Sequence, residues 1–156
     1  MKKGFTLIEL LITISIIALL SVIGLVIYQS FLKSTRDAKR QSDLKLIQSA
    51  LEEYHADQTY YPLASNADGC SAGQFKVGCP LTNPTNTNTK TKTYMSQIPN
   101  DPTTSSSTPY RYEPSGCDSN GCKSYCLSAN LENLGPSKTE GSCANPLKYN
   151  FTVTRP

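Results

Sequence analysis

Glu9 is the first residue of the chain whose chemistry demands an explanation. It lies in an apolar segment that begins at Phe5, and the 19 residues from Leu10 to Tyr28 that follow it carry no charge. A carboxylate in such a segment costs on the order of 2–3 kcal/mol or more if the segment enters a bilayer. An ionisable residue in that position predicts a function, and its charge needs a partner.

The cysteines are the second set of residues with distinctive chemistry. All six lie in the polar C-terminal part of the chain, at Cys70, Cys79, Cys117, Cys122, Cys126 and Cys143. An even number of cysteines on one side of a membrane segment is typical of disulfides formed in an oxidising compartment. Fifteen pairings are possible. Locality favours Cys70 with Cys79, Cys117 with Cys122, and Cys126 with Cys143, and the last closure is worth about 3 kcal/mol.

The spacing of Cys117, Cys122 and Cys126 is not that of a standard zinc pair, so disulfides are favoured over zinc.

The remaining polar residues do not form a catalytic constellation. His55 is the only histidine, and it lacks both further metal ligands and a nucleophile, so we interpret it as a surface residue. The segment 118–121, Asp-Ser-Asn-Gly, is read as a turn. Calcium remains the alternative there, although the distal acid of a calcium loop is missing. We expect no catalytic, cofactor or metal site, and no enzymatic activity.

Basic residues are also too sparse to predict nucleic-acid binding. The formal net charge is only +3, and the candidates for a basic surface are Lys90, Lys92, Arg111 and Lys123. This density is too low to predict a DNA-binding face.

One long helix is expected to carry the first part of the chain. No proline precedes Pro62, which predicts a helix from about Phe5 to about Gln58. Residues 5–28 are apolar all round and long enough, at roughly 28 Å for the uncharged part, to span a bilayer. Residues 29–58 are amphipathic, and their predicted apolar stripe is Phe31, Leu44, Ile47, Leu51 and Tyr54. The interleaved charges of residues 34–45 predict a solvated face.

Residues 59–156 are expected to form loops and a small antiparallel sheet. Alternating patterns predict strands at 110–112, 125–131 and 149–153, each with its apolar side chains on one face toward the helix. In this pattern Cys126 faces away from the apolar set, where it is available to a surface loop. Residues 61–101 are predicted to be a long connecting region, with a mobile surface loop near 83–93. The predicted fold class is therefore α+β, with disulfide-stapled loops.

Two signals disagree on how the chain lies in a membrane. More lysines and arginines follow the apolar run than precede it, which favours a cytoplasmic C-terminal part. The cysteines favour the opposite, because a disulfide framework requires an oxidising compartment. We expect a single-pass protein with its N-terminus in the cytoplasm and its C-terminal head outside. No small-x-small signal cleavage site follows the apolar run, so any peptidase site is expected at Gly4–Phe5.

The segment Gly4-Phe-Thr-Leu-Ile-Glu9-Leu-Leu11, behind a basic leader, resembles the start of type IV pilins and of the pseudopilins of type II secretion. At lower specificity, residues 51–62, 98–102 and 109–112 are similar to the helix end, loop and first sheet segment of major pseudopilins. The tail from Ser115 is not covered by the resemblance. Many family members also carry a proline midway through the apolar helix, where this chain has only Ser21 and Gly24.

The resemblance implies a processed, self-assembling structural subunit. A prepilin peptidase would remove the leader, residues 1–4, between Gly4 and Phe5, and Phe5 would be N-methylated. Glu9 would then meet the Phe5 amine of a neighbouring subunit in a filament. The implied partners are copies of the chain, minor pilins or pseudopilins, the peptidase, an assembly platform and the membrane.

The machine that uses the filament is left open by the resemblance. A secretion pseudopilus and a type IV pilus for motility, adhesion or DNA uptake share these features. A different class of protein, a single-span membrane-anchored surface binding module or enzyme, predicts an uncut N-terminus or a different cut.

Overall fold

The structure is a computed structural model that describes residues 4–64, 70–84, 91–103, 110–134 and 149–155. It divides into two compact units, residues 1–35 and residues 36–156. Helix α1, Leu7–Gln58, contributes residues to both units. The predicted long helix is confirmed, and its backbone is helical through Gly24.

Helix α1 ends in a left-handed residue. The Thr59 N–H donates to the His55 carbonyl oxygen at 2.8 Å, and Thr59 has φ of 66°. Beyond it, Tyr61 and Cys122 exchange two backbone hydrogen bonds of 2.8 and 2.9 Å. Gly121 allows this approach, because a Cβ atom there would lie 2.1 Å from Cδ2 of Tyr60.

Seven short strands follow the helix in the described part of the chain. A three-stranded antiparallel sheet has the order β5, β6, β7, with β5 at Arg111–Ser115, β6 at Ser124–Ala129 and β7 at Phe151–Thr154. These are the three predicted strands, and they confirm the α+β class.

The predicted connecting region contains two further strand pairs. Strands β1, Leu63–Ala64, and β2, Gln74–Phe75, are parallel. Strands β3, Leu81–Thr82, and β4, Thr93–Met95, are antiparallel. Strands of two or three residues are too short to show an alternating pattern, which is why the sequence did not reveal them. The predicted mobile loop falls partly on residues 85–90, outside the described residues.

The core of the second unit lies between α1 and the sheet. Leu44, Ile47, Leu51 and Tyr54 are almost fully buried, and they belong to one cluster with Leu127. Burial of apolar surface of this kind is the main favourable contribution to folding.

The prediction for Phe31 is wrong. Phe31 is 65% exposed, because it belongs to the unit of residues 1–35, whose described residues form no sheet.

Cys126 lies on the opposite face of β6 from Tyr125, Leu127 and Ala129, as predicted, since only those three belong to the core cluster; the expectation that this face is open to a surface loop is wrong. Cys126 is buried, as are its strand neighbours Leu127 and Ser128. The reason is that β6 is the central strand of its sheet and both of its faces are covered. In β7, Phe151 and Val153 pack against the core cluster as predicted, and Thr152 on the other face is buried as well.

Candidate functional site

The segment before Glu9 begins the helix with a reciprocal cap. The Thr6 N–H and the Thr6 hydroxyl donate to Oε2 of Glu9 at 2.9 and 2.8 Å. The Glu9 N–H points back to Oγ1 of Thr6 at 3.4 Å. This is a capping box, in which Thr at the cap and Glu three residues later satisfy each other's backbone donors. The sequence pattern Thr-x-x-Glu could have predicted it.

Gly4 and Phe5, on either side of the predicted cleavage point, are exposed and are not packed against the described part of the chain. Phe5 is 85% exposed. Gly4 has no atom within 4 Å of where a Cβ would lie, and its φ is not in the left-handed region. Nothing in the described part of the chain therefore requires glycine at position 4.

The apolar part of α1 is exposed all round. It contains an 18-residue window with mean hydropathy 3.0, none of which is buried within the chain, so it is long and apolar enough to cross a membrane. Its large side chains, such as Leu7, Ile16 and Ile27, are more than half exposed. A soluble monomer rarely exposes an apolar surface of this extent.

A second set of polar residues, in the unit of residues 36–156, was not predicted. Arg40 is 2% exposed and donates to Asp37 at 2.9 Å, Asp101 at 2.8 and 3.0 Å, Glu132 at 2.9 Å and Thr103 at 3.1 Å. We call these five residues the Arg40 cluster. It joins α1 to two distant segments of the chain.

The neighbours of the Arg40 cluster extend the network. Asp37 also accepts the backbone N–H groups of Glu132 and Asn133 at 2.8 and 2.9 Å. Beside it, the buried Asp43 accepts the hydroxyl of Tyr110 at 2.8 Å. The expectation of a solvated face for residues 34–45 is therefore wrong at Asp37, Arg40 and Asp43, which are buried. The sequence contained a signal for this burial of Asp37 and Arg40. Positions 37, 40, 44, 47, 51 and 54 follow one another at helical spacing and therefore share one face of α1.

Arg40, Asp101 and Glu132 hold one another ionised. Hydrogen bonds from Arg36 and then Arg40 lower the pKa of Glu132 to about 2. Burial raises the pKa of Asp101, but the hydrogen bonds from Arg40 and Thr103 outweigh it and the net pKa is lowered. The hydrogen bond to Asp101 is the largest influence that raises the pKa of Arg40. A fully paired network of this kind stabilises structure rather than reacting.

Two disulfides lie within the described residues. Cys70 pairs with Cys79 and Cys117 pairs with Cys122, the same two local pairs that the sequence favoured. Cys126 is also disulfide-bonded. The predicted partner, Cys143, lies outside the described residues.

The other candidates from the sequence have ordinary surroundings. The His55 ring stacks on Tyr61 with centroids 4.5 Å apart. Asp118 accepts the backbone N–H groups of Asn120 and Gly121 at 2.8 and 3.1 Å, which is the hydrogen bonding of a turn. Lys92 pairs with Glu53 and Asp57.

The basic candidates among the described residues are partly paired with acids. Arg111 pairs with Glu113, while Lys123 is exposed and Lys90 lies outside the described residues. No group of three or more potential metal ligands occurs among the described residues.

Comparison with known proteins matches the N-terminal segment and about half of the chain. Residues 1–25 match the family described as the prokaryotic N-terminal methylation motif. The fimbrial protein EcpC of Eikenella corrodens is 35% identical over 71 residues, which are 46% of this chain and 46% of that protein. The match thus spans about half of that relative's length. No solved structure matches the chain. The N-terminal segment of this chain is therefore similar to that of proteins with the prokaryotic N-terminal methylation motif, and about half of the chain is similar to a fimbrial protein.

Proposed function

We propose that the chain is a structural subunit of a filament of the type IV pilin kind, assembled from a membrane. The observation that carries the proposal is the apolar part of α1, which is exposed on every side. Thr6 and Glu9 cap the start of this part. Lipid covers such a helix before assembly, and the same helices of other copies cover it in a filament core. The filament therefore takes the place of the bilayer as the apolar surroundings.

The proposed processing is cleavage between Gly4 and Phe5, followed by N-methylation of Phe5. Gly4 supports this cleavage site. The fold of the described chain does not require glycine at position 4, so a glycine there suits recognition of the backbone by a peptidase. Cleavage leaves Thr6 and Glu9 in place and turns the Phe5 nitrogen into a cationic amine beside the start of the helix.

Glu9 is the proposed assembly residue. Both hydrogen bonds from Thr6 go to Oε2, and in the described part of the chain Oε1 accepts none. Oε1 therefore suits the Phe5 amine of a neighbouring copy, and subunits joined in a different register leave both charges unpaired.

Mass spectrometry of the protein from its native cells tests the processing. We expect a chain that starts at methylated Phe5, and a Gly4→Val variant that keeps the leader. A wild-type protein with an intact Met1 would instead favour the single-span surface module.

Co-expression with a tagged wild-type chain tests the role of Glu9. We expect Glu9→Gln to reach the membrane at wild-type level but to enter filaments poorly. Ser15→Ala, a polar change in the same apolar helix, should assemble normally. Equal incorporation of both variants would refute the charge pairing.

The proposed orientation places the head outside the cytoplasm. The disulfides support it. The cations after the apolar run, which favour the opposite orientation, include Arg36 and Arg40, both paired with Glu132 in the folded head. Protease added to spheroplasts should digest the head and spare the apolar helix. Protection of the head in intact spheroplasts would refute this orientation.

The proposed assembly machine includes a prepilin peptidase, an assembly platform and minor subunits, and it builds either a pilus or a pseudopilus. The fimbrial relative favours a pilus, whereas the resemblance of residues 98–102 and 109–112 to major pseudopilins favours secretion. Deletion of the gene decides between them. Loss of surface fibres or motility indicates a pilus, and loss of enzyme export with motility intact indicates a pseudopilus.

A further inference from the structure

We propose that residues 28–34 of α1 bind the headgroup layer of a phospholipid membrane and fix the depth of the apolar helix in it. We call these residues the interfacial segment. The partner is the layer of phosphate and glycerol groups on the side of the membrane that faces the head. The proposal rests on the membrane-spanning helix of the proposed function, and it is independent of leader cleavage and filament assembly.

Hydroxyl groups inside the apolar run are bonded to the helix itself. They donate to carbonyl oxygens three or four residues earlier, at 2.8, 2.8 and 2.7 Å for Thr13, Ser15 and Ser21. No other serine or threonine lies between Leu10 and Tyr28. A hydroxyl bonded in this way needs no water, so this run suits the hydrocarbon of a bilayer.

The polar side chains of the interfacial segment lack such partners. Within the described part of the chain, no hydrogen bond or ion pair involves the side chain of Tyr28, Gln29, Ser30, Lys33 or Ser34. Water and lipid headgroups supply partners for these groups, whereas hydrocarbon supplies none. The change in bonding therefore places the edge of the hydrocarbon at about Tyr28.

The side chains of the interfacial segment also suit the layers at a membrane surface. Tyr28 is 57% exposed and Phe31 is 65% exposed, and a tyrosine ring favours the headgroup level. Because helical side chains lean toward the N-terminus of their helix, the Phe31 ring reaches back to the edge of the hydrocarbon. Lys33 lies beyond both rings, where lipid phosphates balance its charge.

The edge at Tyr28 determines where Glu9 lies before assembly. Hydrocarbon about 30 Å thick corresponds to about 20 helical residues, so its other edge falls at about Glu9. A helix placed with Phe5 at that edge instead draws Glu9 about 6 Å into the hydrocarbon and leaves Phe31 about 9 Å outside it. The interfacial segment therefore holds the Glu9 carboxylate at the opposite surface of the membrane.

The accessibility of an added cysteine tests this depth. Leu25→Cys, at an exposed position of the apolar run, lies about 4–5 Å inside the hydrocarbon at the proposed depth and at its edge in the alternative. The full chain with its native disulfides is placed in lipid nanodiscs of phosphatidylcholine and phosphatidylglycerol, and labelling by a charged maleimide is timed. The reactive thiolate forms in water but not in hydrocarbon. The chain without an added cysteine gives the background.

Further changes to the Leu25→Cys chain separate the interfacial segment from Glu9, which also resists burial. We expect Glu9→Leu to leave the thiol protected, with labelling at least about tenfold slower than that of Ser34→Cys. A serine variant then adds three changes to Glu9→Leu, namely Tyr28→Ser, Phe31→Ser and Lys33→Ser. It should raise the labelling rate about tenfold, because the apolar run from Phe5 is then free to centre in the bilayer.

Two controls in the same background should keep the thiol protected. The first is Lys45→Ser with Leu46→Ser, which removes an exposed cation and an exposed apolar side chain from the head part of α1. The second keeps the character of the interfacial segment, with Tyr28→Trp, Phe31→Trp and Lys33→Arg. Rapid labelling in either control would refute a specific role of the segment.

Four further results would overturn the proposal. Rapid labelling of Leu25→Cys in the otherwise wild-type chain shows a different depth, and rapid labelling with Glu9→Leu alone shows that Glu9 fixes the depth. Continued protection in the serine variant shows that the interfacial segment is not needed. Rapid labelling of Leu19→Cys, in the middle of the run, shows that the helix does not span the bilayer. Only this last result would also overturn the membrane part of the proposed function.

Discussion

Acidification should weaken the head through Glu132. Its carboxylate is paired with Arg36 and Arg40, which lower its pKa from 4.5 to about 2 in the folded chain. A carboxyl group with a depressed folded-state pKa contributes stability that is complete above its unfolded pKa. That contribution is lost as the pH falls from about 5 toward 2.

The size of the effect follows from the pKa difference. The shift from 4.5 to about 2 corresponds to roughly 3 kcal/mol at about 1.4 kcal/mol per unit. The side chain is 25% exposed, so solvent screening reduces this to about 1–2 kcal/mol. Asp101, whose pKa is also lowered, contributes in the same direction.

Urea unfolding of the full chain in nonionic micelles, followed by tyrosine near-ultraviolet circular dichroism at pH 6 and pH 2.5, measures this loss. We expect the wild type to lose about 1–2 kcal/mol more than Glu132→Gln between the two pH values. Glu113→Gln removes an acid of similar exposure from the ion pair with Arg111 on β5, and it should follow the wild type. An equal loss in Glu132→Gln and the wild type would contradict the reasoning.

Three substitutions test the packing of the head by the same unfolding measurement. Thr59→Gly should stabilise the chain by about 1 kcal/mol, because Thr59 is a β-branched residue with φ of 66°; no gain would mean that the backbone is unstrained there. Gly121→Ala should cost about 2 kcal/mol or more, since its Cβ would lie 2.1 Å from the Tyr60 ring, and a neutral result would contradict the close packing. Tyr54→Phe should stabilise by about 1 kcal/mol, because the buried Tyr54 hydroxyl has no hydrogen-bond partner among the described residues. A loss of stability would show that this hydroxyl is bonded.

The sequence predicted those features whose signal is local. An uninterrupted, proline-free segment predicted α1, and alternation predicted the three strands of the main sheet. The disulfides of Cys70 with Cys79 and Cys117 with Cys122 close short loops, with separations of 9 and 5 residues. Each of these features can be read from a single window of the chain.

The Arg40 cluster could not be predicted in the same way. Its carboxylates at Asp101 and Glu132 lie 61 and 92 residues away in the sequence, and no local pattern joins them. Phase along the helix would have placed Arg40 and Asp37 on the buried face. Their partners, however, depend on how the loops after β4 and β6 return to the helix.

The two parts of α1 place side chains in opposite unfavourable environments: one part buries charges, and the other exposes apolar side chains. Around Arg40 the helix buries charge, and the chain itself supplies every partner from its own loops. Around Ile16 the helix exposes apolar side chains, and the described part of the chain supplies no cover. A buried charge without partners and an exposed apolar helix without cover are both costly. Only the first cost is met within the described part of the chain. Under the proposed function the second is met by other molecules, first by lipid and then by further copies of the same helix. Glu9 lies at the start of this exposed helix. One of its carboxylate oxygens is bonded to Thr6 of its own chain, and the other is the oxygen proposed to meet a neighbouring copy.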